Sequence, residues 1–243
     1  MDIKLNLENI CLRGVDENYT QAIDYITKDG YQEYVPSFTY FGYRYIYVTG
    51  IKEEQATLDL LTMLVIHGDF KRLSHFECNN EDLNKIFNNS NNSLLSNLFY
   101  FPTDCPQREK NGWTGDANFS SNQIFMHLDA KDTLIEWFNN IRYAQNDLGQ
   151  LPGIIPTTSW GYSWGNGPAW DMAISEVPYR IYQYTGDLQI VKNNFDWMVK
   201  YLSYLKTRIN EDGLFEFGEY YFALQIKERS LEKGEKVAQK EKS

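Results

Sequence analysis

The sequence predicts a mainly α-helical fold behind an N-terminal β portion, and two observations carry that reading. Before residue 75, aromatic and β-branched residues cluster and in places alternate; after residue 80, apolar residues recur at spacings of three and four. A chain of 243 residues, 42% hydrophobic and 16% aromatic, can also bury a substantial core in one or two domains.

In the β portion, Ile3, Leu5 and Leu7 alternate as in a strand within an otherwise weakly patterned stretch, and Asp29-Gly30 marks a turn. Residues 31–48 hold Phe38, Tyr40, Phe41, Tyr43, Tyr45, Ile46, Tyr47 and Val48, punctuated by Gly42 and then Gly50, which predicts a strand pair. A further strand fits 57–67, where Leu58, Leu60, Leu61, Met63, Leu64, Val65 and Ile66 are nearly continuous; so short an apolar run also fits a helix. Residues 1–75 therefore look like the remnant of a β-sandwich.

Five amphipathic helices follow. Asn80 can cap the first, with Leu83, Ile86, Phe87, Ser90, Leu94, Leu95 and Leu98 on one stripe ending before Pro102. A second begins near Asp116 and carries Phe119, Ile124, Phe125 and Leu128. The third covers 131–146 with Leu134, Trp137, Phe138, Ile141 and Tyr143, and Gly149 and Pro152 stop it. The fourth and fifth cover 169–184 and 188–209, the latter with Val191, Phe195, Met198, Tyr201, Leu202 and Leu205 on one stripe. Between the third and fourth lies a segment, 151–170, rich in Pro, Gly and Trp; its aromatics argue for function rather than disorder. Residues 227–243 are mostly charged and form a solvated tail. The chain thus divides into 1–75, 76–226 and 227–243.

A net charge of −10 leaves no basic stripe for phosphates and excludes nucleic acid as a partner. No apolar run reaches membrane-span length and the Met1 end has no signal-peptide core, so the chain is expected to be cytoplasmic and not membrane-bound. Cys11, Cys78 and Cys105 lack metal-type spacing and are expected to be reduced; neither a metal nor another cofactor is implied. Cys105 is expected to be a packing thiol, because His67, His75 and His127 are all distant from it in sequence.

The chemistry concentrates in Asp104-Cys-Pro-Gln-Arg-Glu-Lys-Asn-Gly-Trp-Thr-Gly-Asp116. Pro102 and Pro106 disfavour helix at its start, and Gly112 and Gly115 free the backbone near its end. Three carboxylates (Asp104, Glu109, Asp116), the guanidinium of Arg108 and the indole of Trp113 suit a sugar site, where carboxylates bind hydroxyls or move protons and an indole packs on the C–H face of the ring. The simpler alternative is a solvent loop with a capping Asp and surface ion pairs.

This motif resembles the signature of bacterial α-L-rhamnosidases (glycoside hydrolase family 78). The similarity extends upstream through residues 36–50 and 76–97, and downstream through Trp170-Asp171, Pro178 and 184–187, covering roughly residues 20 to 218. The resemblance implies a partial (α/α)6 toroid behind the β-sandwich remnant, and removal of terminal α-L-rhamnose from a glycoside with inversion. Inversion requires two carboxyl groups roughly 6.5–9.5 Å apart, one of them protonated. By the resemblance Glu109 is the general acid, Asp104 and Asp116 bind rhamnose hydroxyls, Arg108 contacts the sugar or orients an Asp, and Trp113 is the stacking wall. Trp170 matches a second wall aromatic, with Trp160 or Trp164 able to serve likewise; a core role stays open for each tryptophan. Asp171 and Asp187 sit where capping explains them.

The family's general base is a Glu from late in the barrel. Glu216 and Glu219 are the last acidic residues in matching territory, and neither lies in the base motif. The expectations are a fragment with impaired hydrolysis, and edge helices whose apolar stripes face water unless a companion chain or a second copy covers them. Weak rhamnose binding without turnover, a product without a ligand, and an (α/α)6 hydrolase of another specificity are the competing readings.

Overall fold

A computed structural model describes residues 2–8, 21–157, 160–162 and 167–215. The charged tail, Cys11, Trp164, Glu216 and Glu219 lie outside these residues. The described architecture is mostly helical with N-terminal strands.

Three strands form an antiparallel sheet in the order β2-β1-β3: β1 is Asp2–Glu8, β2 Ala22–Ile26 and β3 Tyr45–Thr49. β1 is central, its Leu5 opposite Ile23 of β2 and Val48 of β3. In both edge strands exposure alternates, so Ile23, Tyr25, Ile46 and Val48 share the half-buried side. The strand at residues 3–7 is as its alternation predicts, whereas β2 was not anticipated.

Two expectations are corrected. The pair within 31–48 reduces to β3, because Pro36, a left-handed Phe38 (φ 60°) and Gly42 break the extended run before it. The strand at 57–67 does not form: residues 58–60 make a 3-10 turn, and the run beyond lies exposed, with Leu58 fully so. A strand needs a neighbour to satisfy its ladder, and among the described residues none flanks this segment.

Six α-helices follow among the described residues: α1 (Glu81–Ser96), α2 (Thr114–His127), α3 (Lys131–Ala144), α4 (Pro168–Asp171), α5 (Ala173–Thr185) and α6 (Gln189–Lys206). Asn80 caps α1 as predicted, its side-chain oxygen accepting from the amides of Asp82 and Leu83. The helix predicted over 169–184 is split at Met172 into α4 and α5, and left-handed Gly186 closes α5. Among the described residues no helix is long and apolar enough to cross a membrane.

The core sits where α2, α3 and α6 meet α5. Ile124 and Phe125 (α2), Leu134, Trp137, Phe138 and Ile141 (α3), Ile174, Val177 and Ile181 (α5) and Tyr201 and Leu205 (α6) are buried there, with Leu94 of α1 and Leu98 just past its end. Loop residues Leu151 and Ile155 complete this core, and the Trp137 indole N–H donates to the Ile155 carbonyl at 2.8 Å. The predicted stripes are only partly buried. On α6, Phe195 and Leu202 face solvent, 57% and 52% exposed, and on α1 Leu83 and Ile86 do so.

Candidate active site

The motif loop is fixed at both ends before any functional side chain is placed. After α1, the Thr103 amide donates to the Asn97 carbonyl at 2.8 Å, and Leu98 bridges Pro102. The Asp104 amide then donates to the Asn111 carbonyl at 3.1 Å, and the Asn111 amide returns a bond to Asp104 Oδ1 at 2.9 Å, closing a ring of residues 104–111. Further on, Trp113 bridges Ile154, the Ile155 amide donates to the Gly112 carbonyl at 2.8 Å, and the Thr114 amide donates to the Gly153 carbonyl at 2.9 Å. A Cβ on Gly112 would stand 2.0 Å from the Ile155 carbonyl oxygen, so only glycine fits. The buried part of the Pro/Gly-rich segment, residues 151–155, thus runs beside the motif's end and is bonded to it.

Within that frame Asp104 is held from two sides, since the Cys105 thiol donates to its Oδ2 at 2.9 Å. Burial, and then this bond to Asp104, push the Cys105 thiol up. Instead of the buried packing thiol expected, Cys105 is half-buried and donates to a carboxylate, and the Glu109 amide donates back to its sulfur at 3.3 Å.

Glu109 reaches across one loop turn to Trp113, whose indole N–H donates to Oε2 at 2.9 Å. Arg108 Nε stands 3.8 Å from the other carboxylate oxygen. Glu109 also comes within 4.8 Å of the ligand-type atoms of Asp104 and Cys105. No ligand-type spacing was legible in the sequence, yet the fold brings these three together. Both Asp104 oxygens, the thiol and one Glu109 oxygen are already committed to hydrogen bonds, so the cluster is a self-contained network.

α2 begins at Thr114 rather than at Asp116, which places Asp116 in its first turn, a favourable position for a carboxylate. Its side chain reaches solvent, but the surrounding walls withdraw enough water to push its carboxyl up, and the charges of Asp104 and then Glu109 add to the effect. Trp170 lies over the same turn: a Cβ on Gly115 would meet its indole at 2.5 Å, and Phe119 abuts that ring edge-on at 6.1 Å. The Asn118 amide group donates to the Ala169 carbonyl at 3.1 Å and ties α4 to α2.

Asp171, the neighbour of Trp170, does more than cap. Its buried Oδ2 accepts the Gly167 amide at 2.9 Å, which is the capping bond, and also the Tyr201 hydroxyl of α6 at 3.2 Å. Burial pushes this carboxyl up to about 8. The Tyr201 contribution was not read from the sequence, because a tyrosine in an apolar stripe carries no sign of where its hydroxyl points.

Asp104 and Asp116 both face an open cleft of about 480 Å³ between α1 and α2. Asn89, Ser93, Asn97, Ser120 and Gln123 offer neutral polar groups along it over a floor of Leu94, Leu98 and Ile124. Arg108, Glu109, Trp113 and Trp170 do not line this cleft. Asp187 instead pairs with Lys131 at 2.8 Å and caps α6 through the Gln189 amide at 3.0 Å.

Comparison with known proteins gives this geometry a family. Residues 71–234 match the bacterial α-L-rhamnosidase six-hairpin glycosidase domain, and residues 6–67 match the bacterial α-L-rhamnosidase concanavalin-like domain. An α-L-rhamnosidase of Alteromonas sp. (strain LOR) is 33% identical over 213 residues, which are 84% of this chain and 23% of that protein. The solved α-L-rhamnosidase of Dictyoglumus thermophilum superposes with a TM-score of 0.76 at 32% identity, covering 85% of this chain and 24% of that one. A Streptomyces avermitilis α-L-rhamnosidase complexed with L-rhamnose gives 0.78 at 28% identity, covering 86% and 21%. The chain therefore spans about a quarter of the length of the relatives it matches. With the six-hairpin match covering most of its length, and helices arranged as part of an α/α toroid, this chain belongs to the bacterial α-L-rhamnosidase family.

Proposed function

We propose that this chain carries the acid half of an inverting α-L-rhamnosidase site. Glu109 is the proton donor to the glycosidic oxygen, Asp104 and Asp116 bind rhamnose hydroxyls, Arg108 steers the acid or the sugar, and Trp113 and Trp170 form the walls. The observation that carries the reading is the Glu109 carboxylate anchored on the Trp113 indole at 2.9 Å beside Asp104. The indole bond fixes the direction of that carboxylate, and a held carboxyl is what general acid catalysis calls for. The substrate class is a rhamnose-containing glycoside or oligosaccharide, with the β portion, residues 1–75, the barrel portion, 76–226, and the charged tail, 227–243, as separate units in a cytoplasmic protein.

The second carboxylate decides how far the chain acts alone. Asp104 is not a suitable base: its approach to Glu109 within 4.8 Å leaves no room for the water that inversion needs, which takes roughly 6.5–9.5 Å. Both its oxygens are also engaged. The family resemblance assigns the base to a Glu later in the barrel than the residues of this chain. On that basis the chain alone hydrolyses poorly, and a companion chain or a second copy covers the flank where Phe195 and Leu202 lie exposed.

The alternative is weak rhamnose binding without turnover, favoured by the neutral amide and hydroxyl groups around Asp104 and Asp116. Titration with L-rhamnose under tryptophan fluorescence, alongside nitrophenol release from p-nitrophenyl α-L-rhamnoside, separates the two. Saturable binding with slow release supports the proposed function. Binding with no release supports the alternative, and no binding at all removes both.

A further inference from the structure

Outside the acid and its sugar-facing neighbours, the motif loop is gripped by the N-terminal portion of the chain at a residue with no assigned role. The Lys110 ammonium donates to the Tyr40 carbonyl at 2.6 Å, and it stands 4.5 Å from the centre of the Tyr40 ring and 5.6 Å from that of Phe41. Lys110 itself holds a left-handed backbone (φ 54°), which a non-glycine residue keeps only where its surroundings compensate. Two residues on from Tyr40, Gly42 lies backbone to backbone against the loop: a Cβ there would stand 3.0 Å from the Gln107 amide nitrogen and 3.1 Å from the Pro106 carbonyl carbon. Gln21, itself buried, holds Gly42 in place with a two-way bond, donating to its carbonyl at 2.8 Å and accepting from its amide at 3.0 Å.

These contacts form one chain of constraint running from Gln21 through Gly42 and Tyr40 to Lys110, and Lys110 is the residue next to Glu109. We infer that Lys110 is a positioning residue: clamped on Tyr40 by the N-terminal portion, it sets the left-handed turn that delivers the Glu109 carboxylate to the Trp113 indole. The consequence rests on the proposed acid role of Glu109. The N-terminal portion then helps to aim the proton donor as well as flanking the barrel. A solvent lysine would need neither the aromatic bed nor the compensated backbone, and the Glu109–Trp113 bond is the only side-chain bond described that holds the acid from the far side of the turn.

The test reads the Trp113 indole N–H directly. Hydrogen exchange of the indole signals is followed by NMR in the full chain, with the Trp113 signal identified by its loss in Trp113→Phe. Lys110→Met keeps the stem and removes the donor. It is expected to speed exchange of the Trp113 indole by roughly two- to fivefold, the scale of one partly exposed hydrogen bond to a charged group, while the other indoles keep their rates. Lys110→Arg is expected to restore slow exchange. Gln21→Ala, which loosens Gly42 without touching the loop, should show the same selective effect more weakly, and it decides the matter if Lys110→Met does not melt cooperatively. Unchanged Trp113 exchange in these variants overturns the inference, as does equal acceleration of all indoles, which marks general loosening. Rhamnose titration of the unsubstituted chain is scored separately, so that failure of the sugar reading and failure of the clamp give different results.

Discussion

The Trp113 indole N–H donates to Glu109 Oε2 at 2.9 Å, so one residue proposed as a sugar-stacking wall also holds the proposed acid. Replacing Trp113 with Phe keeps most of the aromatic face and removes that bond. Because the pair is partly solvent-exposed, the loss is expected to be modest, about 0.5–1 kcal/mol. In an isothermal titration, rhamnose affinity should fall by less than about tenfold, from loss of Glu109 placement rather than loss of stacking. Trp113→Ala, which removes both, should weaken binding further.

Asp116 supplies an electrostatic check on the arrangement of the three loop carboxylates. Its carboxyl is pushed up by burial first, and then by Asp104 and Glu109. Titrating the Asp116 side-chain carbon by NMR should give a midpoint raised from the ordinary Asp value. Asp104→Asn should move it down, and Glu109→Gln should do so by less, with neither returning it fully because burial persists. A midpoint that ignores both substitutions would place the three carboxylates farther apart than they stand here.

The glycines of the motif separate two kinds of close approach. At Gly112 an added methyl would meet the Ile155 carbonyl oxygen at 2.0 Å, and that backbone is pinned by the Ile155 amide bond and by the Trp137 indole. Gly112→Ala is therefore expected to cost about 2–3 kcal/mol in denaturant titration, at the upper end of overpacking costs. At Gly115 the obstacle is the Trp170 side chain, which can move. Gly115→Ala should cost less stability but displace Trp170, seen as a change in its fluorescence environment.

Asp171 carries the pH dependence of the α4–α6 seam. Its folded-state carboxyl, near 8, lies above the unfolded value of about 3.9, so the folded chain binds the extra proton between them. Its contribution to stability is full below about pH 4 and is lost as pH rises toward 8. Asp171→Asn keeps an acceptor for the Gly167 amide and the Tyr201 hydroxyl without a charge. Relative to the unsubstituted chain, it should gain stability steadily from pH 4 to pH 8, by a few kcal/mol at most, in melting curves taken across that range. A difference independent of pH would mean that this carboxyl ionises in the folded chain over the same pH range as in the unfolded one.

What the sequence disclosed, and what it concealed, follows from which interactions are local. Asn80 announces α1 because capping is a matter of three residues, and Leu134, Trp137, Phe138 and Ile141 announce the buried face of α3 because helical period is intrinsic. The carboxylates and indole of the motif were legible because residues so close in sequence must lie close in space. Residues 57–67 misled, since an apolar run says nothing about whether a neighbouring strand is present to pair with it. Tyr201 and Lys110 were invisible for a related reason: their partners, Asp171 and Tyr40, lie 30 and 70 positions away in the chain.

The exposed stripe on α6 gives the last expectation. Phe195, Val199 and Leu202 follow one another at helical spacing, all more than two-fifths exposed, while Ile190, Tyr201, Tyr204 and Leu205 on the same helix are buried. An apolar face of this kind, on an element whose other side is already packed, is satisfied by association. Sedimentation of the chain should therefore show concentration-dependent self-association at micromolar levels. Phe195→Glu with Leu202→Glu should leave it monomeric with little loss of stability, since neither side chain is in the core. If the doubly substituted chain associates as the unsubstituted one does, a face other than α6 carries the contact, and the exposed Leu83 and Ile86 of α1 become the next pair to replace.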